Sequence, residues 1–253
     1  MLKKWILRFI AGLGFFIVAL LITAPASIIE SLLVKNITSV SVQGTSGGLW
    51  SGQFQKVAHR KIALKQLKWN LSLTSLFTGN IGADLSVNDP LFNGELTLEK
   101  GFSKVSLSDI NAQQSVSALA RHWLPFQLLA PEGKLIWKDV SISISSTDTT
   151  SVFNEAVGSI EWQNASLNIN GTTVSLGTVF FQLSTDNEDL LITVSDNNSV
   201  LDIQGTLRFS MNRKYHLELS LSDDLPVNLK NAIQMMARPD GNGRLTFSLP
   251  GRI

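Results

Sequence analysis

The hydrophobic pattern of this chain changes period once. From Trp5 to Ala24 the sequence WILRFIAGLGFFIVALLITA is almost continuously apolar, with Arg8 its one charge. As a helix rising 1.5 Å per residue, about twenty such residues match a hydrocarbon layer of ~30 Å. Past Ser27 the period becomes two. In KIALKQLKWNLSL the apolar positions are Ile62, Leu64, Leu67, Trp69, Leu71 and Leu73, the alternation of a half-buried strand. SVSVQ, NIGADLSV, GELTLEK and KVSLSDI alternate in the same way, as do SISIS, SLNI, VFFQLS, DLLITVS, LDIQGTLRFS, YHLELSLS and GRLTFSLP. Short alternating runs punctuated by turn residues predict an antiparallel, mainly β protein. Asn170-Gly171 suits a tight hairpin because both residues tolerate positive φ, and Asp196-Asn197-Asn198 and Met211-Asn212-Arg213-Lys214 are further expected turns.

Two stretches interrupt the alternation. NAQQSVSALARHW, from Asn111, spaces Val116, Leu119 and Trp123 by three and four; PVNLKNAIQMMAR, from Pro226, does the same with Val227, Leu229, Ile233 and Met236. Both predict short helices, the second opening on a proline whose missing N–H costs little there.

The order of these pieces repeats. FNGELTLEKGFSKVSLSD, a helix and PEGKLIW in the first half answer DIQGTLRFSMNRKYHLELSLSD, a helix and PDGNGRLTF in the second. Gly94 pairs with Gly205, Leu96 with Leu207, Leu107 with Leu219, and Pro131-Glu132-Gly133 with Pro239-Asp240-Gly241. Each half also opens on a Gly–Leu–aromatic strand followed by a tryptophan strand: GGLWSG then LKWNL, and GKLIWKD then SIEWQN. Several elements recurring in one order point to an internal duplication. The expected architecture is a cytoplasmic tip and transmembrane anchor over 1–26, then a duplicated, curved antiparallel β-sheet structure with two short covering helices. Its units are 27–130 and 131–253, the second continuous with the first.

Charge orients the anchor. Lys3, Lys4 and Arg8 precede or open the apolar run and no basic residue follows closely, which places the N-terminus in the cytoplasm and the rest across the membrane. Ala24-Pro25-Ala26 has the small-x-small form of a signal-peptide cleavage site; the length of the apolar run and the proline favour an uncleaved anchor. The chain has no cysteine, which excludes disulfides, thiolate metal sites and cysteine catalysis. Its net charge is +1, and without the three basic residues of the anchor the balance turns slightly negative, leaving no field for nucleic acid.

Candidate chemistry is sparse. GTSGGLWSG, residues 44–52, is glycine-rich, but it lacks the lysine of a phosphate loop and precedes a strand rather than a helix. Gly44, Gly47, Gly48 and Gly52 are expected to supply turn and bulge conformations, with Trp50 a core or edge-covering ring, or alternatively an exposed anchor for a partner. His59, His122 and His216 fall on separate elements without metal-ligand spacing, and no Gly-x-Ser-x-Gly occurs. The acids Asp223-Asp224 and Asp186, Glu188 and Asp189 fall in turns, where solvated carboxylates are the ordinary reading. No catalytic, cofactor-binding or metal residue is assigned, and no cofactor is expected.

The Gly-Thr and Leu-Trp-Ser-Gly elements within GTSGGLWSG, then LKWNLSLTSLFTG, NGELTL, LPFQLLAPEGKLIW and PDGNGRLTFSLPG, resemble the type II secretion system protein N family over nearly the whole chain. Trp50, Gly52 and Trp69 match its pattern, while the extra glycines before Leu49 depart from it. The resemblance implies a non-enzymatic accessory component of type II protein secretion, anchored in the cell inner membrane by a single pass with its C-terminal part periplasmic. Its implied partners are other type II secretion proteins. The alternative is a membrane-anchored periplasmic lipid-binding or lipid-transfer protein of AsmA-like architecture, whose amphipathic strands would form an apolar trough for lipid.

Overall fold

Strand alternation survives folding almost everywhere. The computed structural model describes residues 2–60, 62–121, 130–147, 150–169, 171–197, 202–222 and 237–252, the side chains at 2–4, 6, 7, 11, 17, 18, 77, 169, 172 and 197 excepted. The protein is mainly β, its described strands all antiparallel, and it divides into two compact units, Met1–Asp89 and Pro90–Ile253.

In the first unit helix α1 (Leu2–Ile22) and helix α2 (Ser27–Asn36) precede β1 (Val40–Gly47), β2 (Ser51–His59), β3 (Ile62–Ser72), the short helix α3 (Leu73–Phe77) and β4 (Ile81–Asp89). The strands pair in chain order, with Gly47 opposite Gly52, Gly52 opposite Trp69, and Trp69 opposite Leu85. Alternation sends Phe54 and Trp69 to the same face, where both are buried and their ring centroids lie 4.4 Å apart. Burying each of these rings contributes about 1.5–3 kcal/mol or more. Ile29 and Leu33, one turn apart on α2, close over this cluster.

The second unit comprises β5 (Phe92–Lys100), β6 (Lys104–Ser115), helix α4 (Val116–Ala120), β7 (Glu132–Ser146), β8 (Ser151–Ile169), β9 (Thr172–Asp186), β10 (Asp189–Asn197), β11 (Gln204–Phe209), β12 (Lys214–Ser222), β13 (Arg238–Pro239) and β14 (Arg244–Arg252). Strand order follows the chain except at the end, where β14 lies between β12 and β13. One apolar cluster is built on Ile110, Val140, Ile160 and Leu183, another on Ala165, Leu176, Val179 and Leu245. The long strands β6, β7 and β8 carry bulges, at which Asp109, Asp139 and Asn164 adopt positive φ. Asp and Asn tolerate that conformation, and such bulges bend a strand. Asn111 holds two bulges in step: its amide donates to the Asp139 carboxylate at 3.2 Å and accepts from the Asp139 N–H at 3.1 Å.

Several expectations change, beginning with Ser27–Asn36, which is helix α2 rather than alternating strand. Asn111–Ser115 is the end of β6 rather than the start of a helix, because the same residues pair with Phe92–Glu95 on one side and Lys134–Trp137 on the other; helix begins only at Val116. Two-sided pairing overrides a helical period of five residues. Asp196 and Asn197 likewise remain strand, paired with Phe180 and Val179 after a bulge, instead of turning. Leu73, read as the last alternating strand position, opens α3. The turn after Met211 forms, with Arg213 at φ +67 and Ser210 N–H donating to the Lys214 carbonyl at 2.9 Å. The expected helix from Pro226, Asp223-Asp224, His122, Asn170 and Asn198 lie outside the described residues.

Candidate functional site: the joint between the N-terminal helix and the sheet

The glycine-rich stretch of the first unit is a clamp on the chain that leaves α1. Gly47 ends β1 at φ +94, where a β-carbon would come within 2.6 Å of the Ser51 carbonyl oxygen, so only glycine fits. The Gly48 N–H donates to that same carbonyl at 2.9 Å, closing a tight loop around Leu49 and Trp50. Residues 24–26 then run antiparallel to this loop. The Leu49 N–H donates to the Ala24 carbonyl at 2.8 Å, the Ala26 N–H donates to the Gly47 carbonyl at 3.3 Å, and Pro25 bridges Gly48.

Trp50 completes the clamp. Its indole Nε1–H donates to the Leu21 carbonyl oxygen at 2.8 Å, one of the last-turn acceptors that a helix leaves without an internal partner. Each of these bonds contributes about 0.5–1.5 kcal/mol net. Ala24 and Ala26 are 5% and 2% exposed, so the Ala24-Pro25-Ala26 segment is packed into the protein. Beyond it, Glu30 on α2 accepts from the Thr45 hydroxyl at 2.5 Å. Trp50 is therefore neither a core ring nor a free docking anchor; it ties the helix end to the sheet.

Gly52 also differs from expectation. It stands in regular strand pairing, and its role is to leave room: a β-carbon there would run into the Trp69 ring and come within 2.7 Å of the Ser46 carbonyl oxygen. Trp69 fills the niche, 4% exposed, and donates its indole N–H to the Leu49 carbonyl at 3.1 Å. The second tryptophan thus braces the loop that the first one uses. Sequence reading had the three residues but not their division of labour, since Leu21, Leu49 and Trp69 meet only through tertiary contact.

Several of the charged side chains form ion pairs. Asp186 and Asp189, read as solvated turn acids, both face Arg208, Asp189 at 3.7 Å, and Asp186 foremost raises the guanidinium pKa further. Arg244 holds the Asp202 carboxyl below its usual range, and Lys138 does the same to Glu161. These shifts all favour the ionised forms, the opposite of what a general acid needs. His59 ends β2, exposed. His216 Nε2 lies 2.9 Å from Glu218 and 3.5 Å from Ser248 Oγ, both contacts converging on one nitrogen, whereas a serine–histidine–acid relay uses both. Among the described residues no group of three His, Asp or Glu side chains is placed to hold a metal.

Taken over the described residues, no helix is long and apolar enough to cross a membrane. The span expected of α1 accordingly stands as a proposal, taken up below.

Comparison with known proteins points one way. A family model described as type II secretion system, protein N matches residues 38–248. A type II secretion system protein N of Aeromonas hydrophila is 25% identical over 250 residues, covering 96% of this chain and 95% of its own. Its counterpart from Vibrio cholerae is 24% identical over 226 residues, 85% of each chain. No solved structure matches significantly.

Proposed function

This chain belongs to the type II secretion system protein N family, and on that premise we propose that it is a non-catalytic accessory component of the secretion machinery, held in the inner membrane by α1 and acting from the periplasmic side. Other type II secretion proteins are its partners in this reading. The observation that carries it is the joint just described. A helix of 21 residues, uncharged from Phe9 to its end, runs into a segment whose backbone is bonded to the sheet loop at Leu21, Ala24 and Ala26. Ala24 and Ala26 are buried against the sheet loop in the folded protein, which supports the uncleaved reading. Lys3 and Lys4 at the other end give the helix its cytoplasmic side.

The test is to return the full-length protein, and a version whose residues 1–26 are exchanged for a cleavable signal peptide, to a strain lacking it. The native protein is expected to resist alkaline extraction from membranes, keep an unprocessed N-terminus by mass measurement, yield its C-terminal part to protease in spheroplasts, and restore exoprotein secretion. A mature N-terminus at Ser27, or full secretion with the released version, would overturn the anchored reading.

A further inference from the structure

The two ends of the first unit's sheet differ in charge. Antiparallel pairing gathers Gly47, Ser51, Ser72 and Ile81 at one end, and Val40, His59, Ile62 and Asp89 at the other. The second end carries His59, Arg60, Lys65 and Asp89 nearby. At the first, three segments converge, residues 9–29, 44–55 and 69–83, and none contains an Asp, Glu, Lys or Arg. This is the end at which Trp50 grips Leu21, and the Trp50 carbonyl in turn accepts from the Leu71 N–H at 2.6 Å, so the exit of α1 and the approach to α3 share one residue.

The turn over 72–82 is built inside out for water. Ser72 caps α3 by accepting from the Ser75 N–H, and the Ser75 carbonyl accepts from Thr78 and Asn80. Small, polar Ser75 packs against the sheet at Gly82, which has no side chain to displace it, while Leu73 and Leu76 face outward at 55% and 47% exposure with Ile81 beside them at 56%. A water-facing turn would place these residues the other way round. Leu21 and Ile22 at the end of α1, the helix end that Trp50 holds, are exposed as well, 43% and 66%. An exposed apolar surface without Asp, Glu, Lys or Arg, tied through Trp50 to the end of α1, is suited to the headgroup and upper acyl region of a bilayer.

We propose that Leu73, Leu76 and Ile81 rest in the outer surface of the bilayer that holds α1, giving this unit a second lipid contact beside its anchor. The inference rests on the anchored reading of α1. Two contacts on one rigid joint would fix the tilt of the unit over the membrane, which a single helix followed by a free linker would not.

The chain has no cysteine, so single positions can be labelled cleanly. Full-length Leu76→Cys, Leu20→Cys and His59→Cys proteins, each carrying an environment-sensitive fluorophore, are reconstituted into vesicles containing only lipid. The Leu76 label is expected to emit at shorter wavelength than the His59 label, to be quenched by nitroxides placed high on the lipid chains, and to resist aqueous iodide; the Leu20 label should be quenched by nitroxides placed deeper. A Leu76 label that behaves like that at His59 while Leu20 is buried in lipid overturns the inference and leaves the anchor standing. A blue shift at Leu76 that appears only in native membranes with the other secretion proteins present also overturns it, in favour of a protein contact. An aqueous Leu20 label sinks the anchor, and the second contact with it.

Discussion

The indole of Trp162 donates its Nε1 hydrogen to the backbone carbonyl of Glu132 at 2.8 Å, across 30 positions of sequence. Trp69 does the same to Leu49 across 20 positions. Each ring also lies over a glycine that follows its acceptor: a β-carbon on Gly133 would come within 2.8 Å of Trp162 Nε1, and one on Gly52 would strike the Trp69 ring. The two niches share one geometry, an indole N–H on a backbone carbonyl and its ring against a glycine. From that geometry Gly52→Val and Gly133→Val should each cost about 2–3 kcal/mol, because the added carbons meet an aromatic ring and backbone oxygens that cannot move aside. Denaturant unfolding in detergent checks this; a loss at Gly52 with none at Gly133 would separate the two sites.

Trp50→Phe keeps a ring but removes the donor to Leu21. The Leu21 carbonyl then keeps only the Ala24 N–H, at 3.4 Å, and about 1 kcal/mol is lost. The functional consequence is local loosening, and limited proteolysis with mass readout should show faster cutting between Leu21 and Ser27 in the variant. Equal rates in the two proteins would mean that Leu49 and Ala26 hold the joint by themselves.

Acid should weaken the second unit partly through Lys138 and Glu161. The ion pair keeps the Glu161 carboxyl ionised below its usual range, so near that range the unfolded chain binds more protons than the folded one. The contribution is complete above the usual glutamate value and fades as pH falls through the lowered one. Lys138 is half exposed, which limits the effect to under about 1 kcal/mol. Lys138→Met should therefore lower stability at neutral pH by up to about 1 kcal/mol and leave the acid end of the stability–pH curve unchanged, so that the acid limb flattens; an unaltered acid limb would rule the pair out as a contributor.

Replacing His59, His122 and His216 together with alanine should leave secretion close to normal in complementation. Loss of secretion with folding and abundance intact would mean that one of them takes part in chemistry or in partner recognition.

Period and composition determined what is local in this protein. The alternation of apolar positions, the turn after Met211 and the long uncharged apolar run at the N-terminus each depend on neighbours a few residues away, and the strands and the first helix follow from them. Tertiary structure decided what depends on distant partners. Asn111–Ser115 became strand because β5 and β7 lie on either side of it, and no helical spacing competes with two ladders of backbone bonds. Gly52 looked like a turn residue and proved to be space reserved for Trp69, while Trp50, expected as a core or edge-covering ring or else an exposed anchor, proved to be the tie to Leu21. A glycine or an indole N–H has the same local signature whether it turns a chain, clears a niche or caps a helix; the atom that approaches it, here twenty or thirty residues away, selects among them.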